Sequence, residues 1–374
     1  MEIALAFKMT KKFRLVNFVL VGSKSGKYGG PYETSLAQVR LTNSRSPVLF
    51  FGFFRGDKPE MDAEASTFRV RHLFNFTNFF DVGSLLGLVQ CWRMANTDVA
   101  HISFARGVTP YFYTWACILR KARVIVQTHG MLTSRASTPQ RVLDSFFTKP
   151  LIKRAQAIVA LTEFEQAALS TWCPEISNKI TVVGNPSQAS LLKKVQEPVP
   201  GTALFAARLH PRKRVIDFAN ASKFSFESQW EEKYFALGPD EGDLPRLQAI
   251  SAKVPNLQYL GATDTIGALD QICTCAVFVL SSENEPWGNA LVAALSIGRP
   301  VVITESSHLS GLVQIYQAGI VVPDRDPEAI ARAVHDICAS SNYAQFSKNA
   351  SMLSLLHFSD NTIQRQLLEL YGDC

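Results

Sequence analysis

Short runs of residues that are apolar throughout recur along the whole chain, each followed by a turn and then by a helical pattern. In the first half these runs occupy residues 15–21, 48–53, 99–103, 124–128, 157–161 and 180–183. Helical patterns at 32–40, 82–94, 109–121, 139–154 and 163–172 separate them. A strand buried on both faces reads as a continuous apolar run, whereas a half-exposed strand alternates. Runs of the first kind, alternating with helices, predict βαβ units and a doubly wound parallel sheet.

The pattern lapses over 185–201, a connector carrying Pro186, Pro198, Pro200 and Gly201, and then starts again. The second series of strands is expected at 203–206, 234–237, 257–260, 276–280, 301–304 and 320–322. Two such series predict an α/β chain of two Rossmann-like domains, 1–186 and 187–374, facing a cleft. The closing stretch, 359–371, sets Ile363, Leu367, Leu370 and Tyr371 on one helical face and is expected to pack back toward the first domain. The Phe-rich segment 68–80 fits neither period. It is expected to be core, not an exposed lip, because aromatic side chains mostly bury themselves.

Composition narrows the class. With 374 residues, 47% hydrophobic and 19% charged, the chain is neither disordered nor fibrous and has room for two cores. No apolar run approaches the ~18 residues of a membrane span. Residues 1–10, followed by Lys11 and Lys12, invert the order of a signal peptide and read as a loose leader, with Met9 an alternative start. Seven scattered cysteines without a C-x-x-C pair argue against a disulfide framework or structural zinc and fit a reducing, cytoplasmic compartment. Cys273 and Cys275 lie in an apolar run and read as buried structural residues ahead of a metal or redox pair.

The net charge of +6 conceals an asymmetry: 23 Lys and Arg against 12 Asp and Glu in residues 1–186, but 15 against 20 in 187–374. A basic half suits nucleic acid, an anionic membrane surface or a phosphorylated substrate. No nucleic-acid-binding motif accompanies the charge, so nucleic acid is not the expected partner.

The richest chemistry comes after the apolar run 276–280. A short loop carries Glu285, Pro286, Trp287 and Gly288, and a small-residue helix begins near Asn289 and Ala290. A helix start presents free N–H groups and the positive end of its dipole to an anion. A carboxylate beside it would repel a bare phosphate, so Glu285 is better suited to hydroxyls on a neighbouring group. Phosphate plus polyol describes a nucleotide sugar. After strand 203–206 comes Arg208-Leu-His-Pro-Arg-Lys213, cations able to balance a diphosphate; read alone, Arg212-Lys213-Arg214 would be a solvated basic turn. His129 and Gly130 come after strand 124–128, at the end where such sheets bind ligands. Gly26, Gly29 and Gly30 lie between the first strand and its helix, where glycine lets backbone approach a ligand, although neither G-x-G-x-x-G nor a Walker loop is present.

Taken in order, these motifs resemble the retaining glycosyltransferases of family 4, group 1 glycosyl transferases with the GT-B architecture. The resemblance runs from about Leu15 to the C-terminal helix. Glu285-Pro-Trp-Gly288-Asn289 is similar to the family's E-x-F-G element, which implies that the carboxylate meets donor-sugar hydroxyls while the amides around Trp287, Gly288, Asn289 and Ala290 hold the diphosphate. Arg208 and Lys213 resemble the pair that neutralises that diphosphate without a metal or cofactor, and His129 a histidine lying against the sugar. Gly29 and Gly30 resemble the glycine loop of the first domain. Three further segments keep the same register: 160–165, where Thr162 would cap a helix; 183–186; and 237–242, the loop framing the donor base, where Asp240 and Glu241 have the simpler reading of a solvated acidic turn.

One position departs from the family. The second glutamate of the E-x7-E motif, which grips the ribose, is Ala293 here. A methyl group accepts no hydrogen bond, and the loss is worth about 1.5–3 kcal/mol of donor affinity unless another group supplies it. The resemblance implies transfer of a sugar from a UDP- or GDP-sugar, with retention, to a saccharide or lipid-linked saccharide acceptor in surface polysaccharide or glycoconjugate biosynthesis. The basic half, including Lys149, Lys153 and Arg154, would suit a peripheral position on an inner membrane face. Ala293 keeps open a catalytically impaired relative that binds or regulates. An epimerase of nucleotide sugars on the same architecture would need more acid and base groups than His129 and Glu285.

Overall fold

The structure, a computed structural model, describes residues 12–22, 29–54, 69–76, 85–132, 138–187, 191–192 and 195–372. It divides into two compact units, Met1–Gly184 with Gln364–Cys374, and Asn185–Ile363. No helix among the described residues is long and apolar enough to cross a membrane.

The first unit is built on seven parallel strands: β1 Phe13–Gly22, β2 Val48–Phe54, β3 Arg69–Phe76, β4 Thr97–Ser103, β5 Arg123–Gln127, β6 Ala157–Ala160 and β7 Ile180–Val182. Their spatial order is β3-β2-β1-β4-β5-β6-β7, with Val16 opposite Val48 on one side and Ala100 on the other. The helices are α1 Gly29–Leu41, α2 Leu85–Met94, α3 Val108–Leu119, α4 Thr138–Leu143, α5 Lys149–Ile152 and α6 Glu163–Trp172. The central strands are buried on both faces, as their unbroken apolar runs predict.

Two elements of this unit depart from the sequence reading. The Phe-rich segment contains an edge strand, β3, which pairs Val48 with Arg69 and Phe54 with Phe76. The helix expected over 139–154 is broken by a π turn, Asp144–Thr148, in which the Lys149 N–H bonds to the Asp144 carbonyl five residues back. Pro150 explains the break: it has no N–H for the carbonyl of Phe146, and its ring would clash with that carbonyl in a regular helix. Asp144 is held in place from outside, by a two-pronged bond from Arg106 at 2.9 and 2.8 Å.

The second unit carries β8 Thr202–Ala206, β9 Lys233–Leu237, β10 Leu257–Tyr259, β11 Val277–Leu280, β12 Val301–Thr304 and β13 Gly319–Val322, all parallel, in the order β10-β9-β8-β11-β12-β13. Between and after them run α7 Val215–Glu227, α8 Leu244–Ser251, α9 Thr265–Thr274, α10 Asn289–Ser296, α11 Ser310–Tyr316, α12 Pro327–Ala339 and α13 Tyr343–His357. Cys273 and Cys275 are both buried here, and burial raises the pKa of each thiol. The last helix, α14 Asp360–Tyr371, returns the chain to the first unit. There Gln364 Nε2 donates to the Leu41 carbonyl, and the Tyr371 hydroxyl lies 2.8 Å from His101 Nδ1.

Strand order sets where chemistry can collect. In each sheet the winding reverses between two adjacent strands, β1 and β4 in the first unit and β8 and β11 in the second. Loops leaving such a pair diverge to opposite faces and open a crevice at the carboxyl ends.

Candidate functional site

In the second unit the loops flanking the reversal are 207–214, after β8, and 281–288, after β11. Val277 is the register partner of Ala203, so the two loops start side by side. The first closes on a 3₁₀ turn, Pro211–Lys213, whose Arg212 N–H donates to His210 Nδ1 at 3.1 Å. Arg214 comes next in the left-handed conformation, with its guanidinium spanning both oxygens of Asp217. The second loop is stitched to the first: Ser281 Oγ donates to the carbonyls of Lys213 and Arg214, and the Glu283 N–H to that of Arg212.

This stitching brings Glu285 onto Lys213. Lys213 Nζ donates directly to Glu285 Oε2, and both side chains are largely buried, 12% and 7% exposed. Arg212 stands 3.7 Å from the same oxygen and donates to the Asn284 carbonyl. Burial alone would push the Glu285 carboxyl up; Lys213 and Arg212 outweigh it and hold it below the ordinary carboxylate range. Burial, with the fields of Arg212 and Arg208, pulls the Lys213 ammonium down against the attraction of Glu285. Two cations therefore meet one carboxylate, with the field of Arg208 reaching Lys213 from the same loop.

Arg208 points the other way along its loop. Its Nη1 donates to both oxygens of Glu241, at 2.8 and 2.9 Å. Glu241 comes from the loop after β9, which is fastened to the Arg208 loop by a bridge between Leu209 and Asp240. The fastening demands glycine at 238: a Cβ there would sit 1.9 Å from the Ala207 carbonyl oxygen, on a backbone with φ +141°. Asp240 is a capping acid in the event, accepting from the N–H groups of Gly242 and Leu244 at the start of α8.

Gly288 turns the chain into α10 with φ +79°, and an added Cβ would press Leu280 and Leu291 at 3.3 Å. The first bond of the helix runs from the Val292 N–H to the Gly288 carbonyl. The N–H groups of Asn289, Ala290 and Leu291 precede it and have no acceptor within the helix. The Asn289 side chain receives Asn185 Nδ2 at 3.1 Å. Trp287 is buried edge-on to Phe358, and its indole N–H has no partner among the described residues. Ala293 lies on the buried side of the same helix.

In the first unit, His129 sits in a left-handed turn after β5, with φ +48°. Non-glycine residues are uncommon in that conformation, histidine less so than most. The turn is tied down on either side by Glu165, which sequence reasoning missed. Its buried carboxylate accepts Thr128 Oγ1 at 2.5 Å and the Gly130 N–H at 2.6 Å on one oxygen, and the Leu161 N–H at 2.7 Å on the other. Thr162 caps the same helix by accepting the Glu165 N–H. The T-x-x-E spacing of a capping box was the available signal.

His129 Nε2 lies 3.0 Å from Ser103 Oγ, which in turn meets Ser35 Oγ at 3.0 Å. Burial, then the neighbouring His101, lowers its pKa to about 3, so the imidazole is neutral near pH 7. Gly29 and Gly30 fall in the first turn of α1, not in a loop, because Pro31 needs no N–H acceptor there and favours helix initiation. A Cβ at Gly30 would meet nothing within 4 Å. The preceding Gly26 lies outside the described residues.

Residues 200–340 match the model of a family described as Glycosyl transferases group 1. Over 66 residues the chain is 36% identical to the lipopolysaccharide core biosynthesis glycosyltransferase LpsE of Rhizobium meliloti (strain 1021); this stretch spans 18% of the chain and 19% of the relative's length. Among solved structures it is similar to Anabaena HepE in complex with UDP and glucose, with a TM-score of 0.74 at 16% identity over 96% of this chain and 98% of that one. A glycosyltransferase from Rickettsia africae ESF-5 gives 0.72 at 15% identity, covering 97% and 98%. Sucrose-phosphate synthase from Thermosynechococcus elongatus gives 0.67 at 16% identity, covering 96% and 98%. The fold is GT-B, with two Rossmann-like parallel sheets.

Proposed function

We propose that the chain is a retaining glycosyltransferase that moves a sugar from a UDP- or GDP-sugar to a saccharide or lipid-linked saccharide acceptor. One observation carries the reading. At the reversal point of the second sheet, Lys213 and Arg212 meet Glu285 just before the first N–H groups of α10, and Arg208 on the same loop adds its field at Lys213, inside the segment that matches the group 1 family. The likeness to a UDP and glucose complex makes UDP-glucose the first donor to try. The match to a lipopolysaccharide core enzyme favours an acceptor from surface polysaccharide synthesis.

In this reading the diphosphate takes the cations Lys213 and Arg208 and the first N–H groups of α10, and no metal is required. Glu285, relieved of Lys213, turns to the sugar hydroxyls. The bond from the anomeric carbon to the leaving phosphate oxygen breaks while the acceptor oxygen attacks from the same face. That phosphate oxygen takes the acceptor's proton. His129 is the first unit's candidate for the sugar. Being neutral, it contributes a hydrogen bond and not a charge.

Ala293 supports a second reading, a relative that binds without turnover. A panel of UDP, GDP and their sugars separates the two. For a transferase, one nucleotide raises the melting temperature at millimolar concentration, and the matching sugar is transferred or slowly hydrolysed with its anomeric configuration kept. Nucleotide binding without either reaction sustains the binding protein. Stabilisation by no nucleotide, with no reaction, overturns both.

A further inference from the structure

In the second sheet β11 lies between β8 and β12, so the loop carrying Glu285 has a neighbour on each side. Lys213 and Arg212 reach Glu285 from the β8 side. On the β12 side runs the loop 305–309, which brings His308 up to the same residue: the His308 N–H donates to the Glu285 carbonyl at 3.0 Å. The loop is pinned in that place. Thr304 Oγ1 donates to the Ser282 carbonyl at 2.6 Å, the Asn284 N–H to Ser306 Oγ at 2.8 Å, and Ser306 Oγ in turn to Asp324 Oδ1 at 2.8 Å.

Glu305 is bonded through its N–H to the Val322 carbonyl of β13, on the side away from Glu285. Ser307 and Leu309 are buried and Ser306 is committed to Asp324, whereas His308 is only half-buried. Burial lowers the pKa of its imidazole, and the nearby Glu285 carboxylate raises it back only in part, so the ring is neutral near pH 7. A neutral imidazole offers one N–H donor and one nitrogen acceptor, while a carboxylate only accepts. Set side by side, the two suit hydroxyls on neighbouring carbons: one donates to Glu285, and the other meets the ring. The bond from the His308 backbone does not account for the imidazole, since every residue but proline supplies that N–H.

We propose that His308 is a specificity-determining residue for the donor, and that with Glu285 it selects a hexose carrying two free hydroxyls on adjacent ring carbons. The proposal rests on the donor reading above, in which the diphosphate takes Lys213 and Arg208 and Glu285 turns to the sugar. A diphosphate on the β8 side leaves the far side of that sugar to His308. A deoxy or N-acetylated carbon at either position breaks the pairing, because a largely dry site pays for each polar group left without its partner.

The test is calorimetric titration of the full chain with UDP, UDP-glucose and a set of UDP-glucoses that each lack one hydroxyl. Should GDP bind and not UDP, GDP-mannose and its deoxy analogues take their place. The wild-type chain is expected to bind two of the deoxy sugars, altered at adjacent carbons, roughly tenfold or more weakly than the parent. His308→Phe keeps the bulk of the ring and removes its hydrogen bonds. It should weaken the parent sugar nucleotide by about tenfold and leave the bare nucleotide unchanged. With one of the two analogues it should cost nothing further, since the missing hydroxyl is the one that His308 meets. His308→Gln, which can still donate and accept, should recover part of the loss. Three results overturn the inference and leave the donor reading standing: a wild-type chain that binds every deoxy sugar like the parent, a His308→Phe effect that is absent or equal for all of them, or both variants weakening the bare nucleotide as much as the sugar nucleotide. If neither UDP nor GDP binds, the donor reading itself falls and takes the inference with it.

Discussion

Lys213 and Glu285, seventy-two residues apart in sequence, form a buried ion pair that joins the two loops at the reversal point of the second sheet. Removing one partner strands the other's charge in a largely dry site, which costs about 3–5 kcal/mol. Lys213→Ala and Glu285→Ala are each expected to lower the unfolding free energy of the second unit by that order. The double variant should lose clearly less than the sum. A double-mutant cycle read by urea unfolding checks this, and additive losses would mean that the pair is not formed.

Arg208 is shared. Its contact with Glu241 is part-exposed and is worth little to stability, at most about 1 kcal/mol. If Arg208 serves a diphosphate, Glu241 competes for it. Glu241→Gln should then tighten UDP or GDP binding several-fold, and Arg208→Ala should weaken it by about tenfold or more. Calorimetric titration distinguishes the two directions; no change in either variant would remove Arg208 from the anion site.

Glu165 is a positioning residue for His129. Gln in its place cannot accept from Thr128, Gly130 and Leu161 together, because its amide nitrogen only donates. Glu165→Gln is expected to destabilise the first unit by about 1–3 kcal/mol. It should also lower kcat while leaving the Kd for nucleotide unchanged, since the cations proposed for the diphosphate, Lys213 and Arg208, lie in the other unit. Loss of stability with kcat intact would leave Glu165 a purely structural role.

Acid sensitivity should arise from His101. Burial lowers its pKa from 6.5 to about 4, against the Gln127 side-chain oxygen, which accepts from the imidazolium and raises it. Above pH 6.5 the imidazole is neutral in folded and unfolded chains alike, so stability does not depend on pH through this group. Between 6.5 and about 4 the unfolded chain binds a proton that the folded chain refuses, and stability falls as pH falls. The loss amounts to about 3 kcal/mol, and His129 extends the window to about 3. Urea unfolding from pH 7 to 4 should show a shallower slope for His101→Asn than for the wild-type chain.

The sequence made the doubly wound sheets legible because strands such as Val277–Leu280 and Val301–Thr304 are apolar at nearly every position, a signal that buried parallel strands cannot avoid. Edge strand β3 escaped: in Arg-Val-Arg-His-Leu-Phe-Asn-Phe, alternating charges and dense phenylalanine mask the run. The two loops of the candidate site were each visible as motifs. The bond between Lys213 and Glu285 was not, since it depends on which strands become neighbours. Glu165 was read as part of a helix start, and its reach back to the turn around His129 belongs to tertiary structure.

The π turn at Asp144–Thr148 fixes the angular phase between the helical turns on either side of it. A regular helix advances each residue by roughly 100°, so the extra residue in that turn is a built-in angular offset. Deleting Ser145 would remove that offset and rotate one end against the other by about that angle, although Pro150 would still deny the Phe146 carbonyl its helical partner. Phe146 and Phe147 would swing away from solvent while Leu151 and Ile152, now in the core, were driven outward. One backbone irregularity thus decides which side of this rod is greasy on the outside.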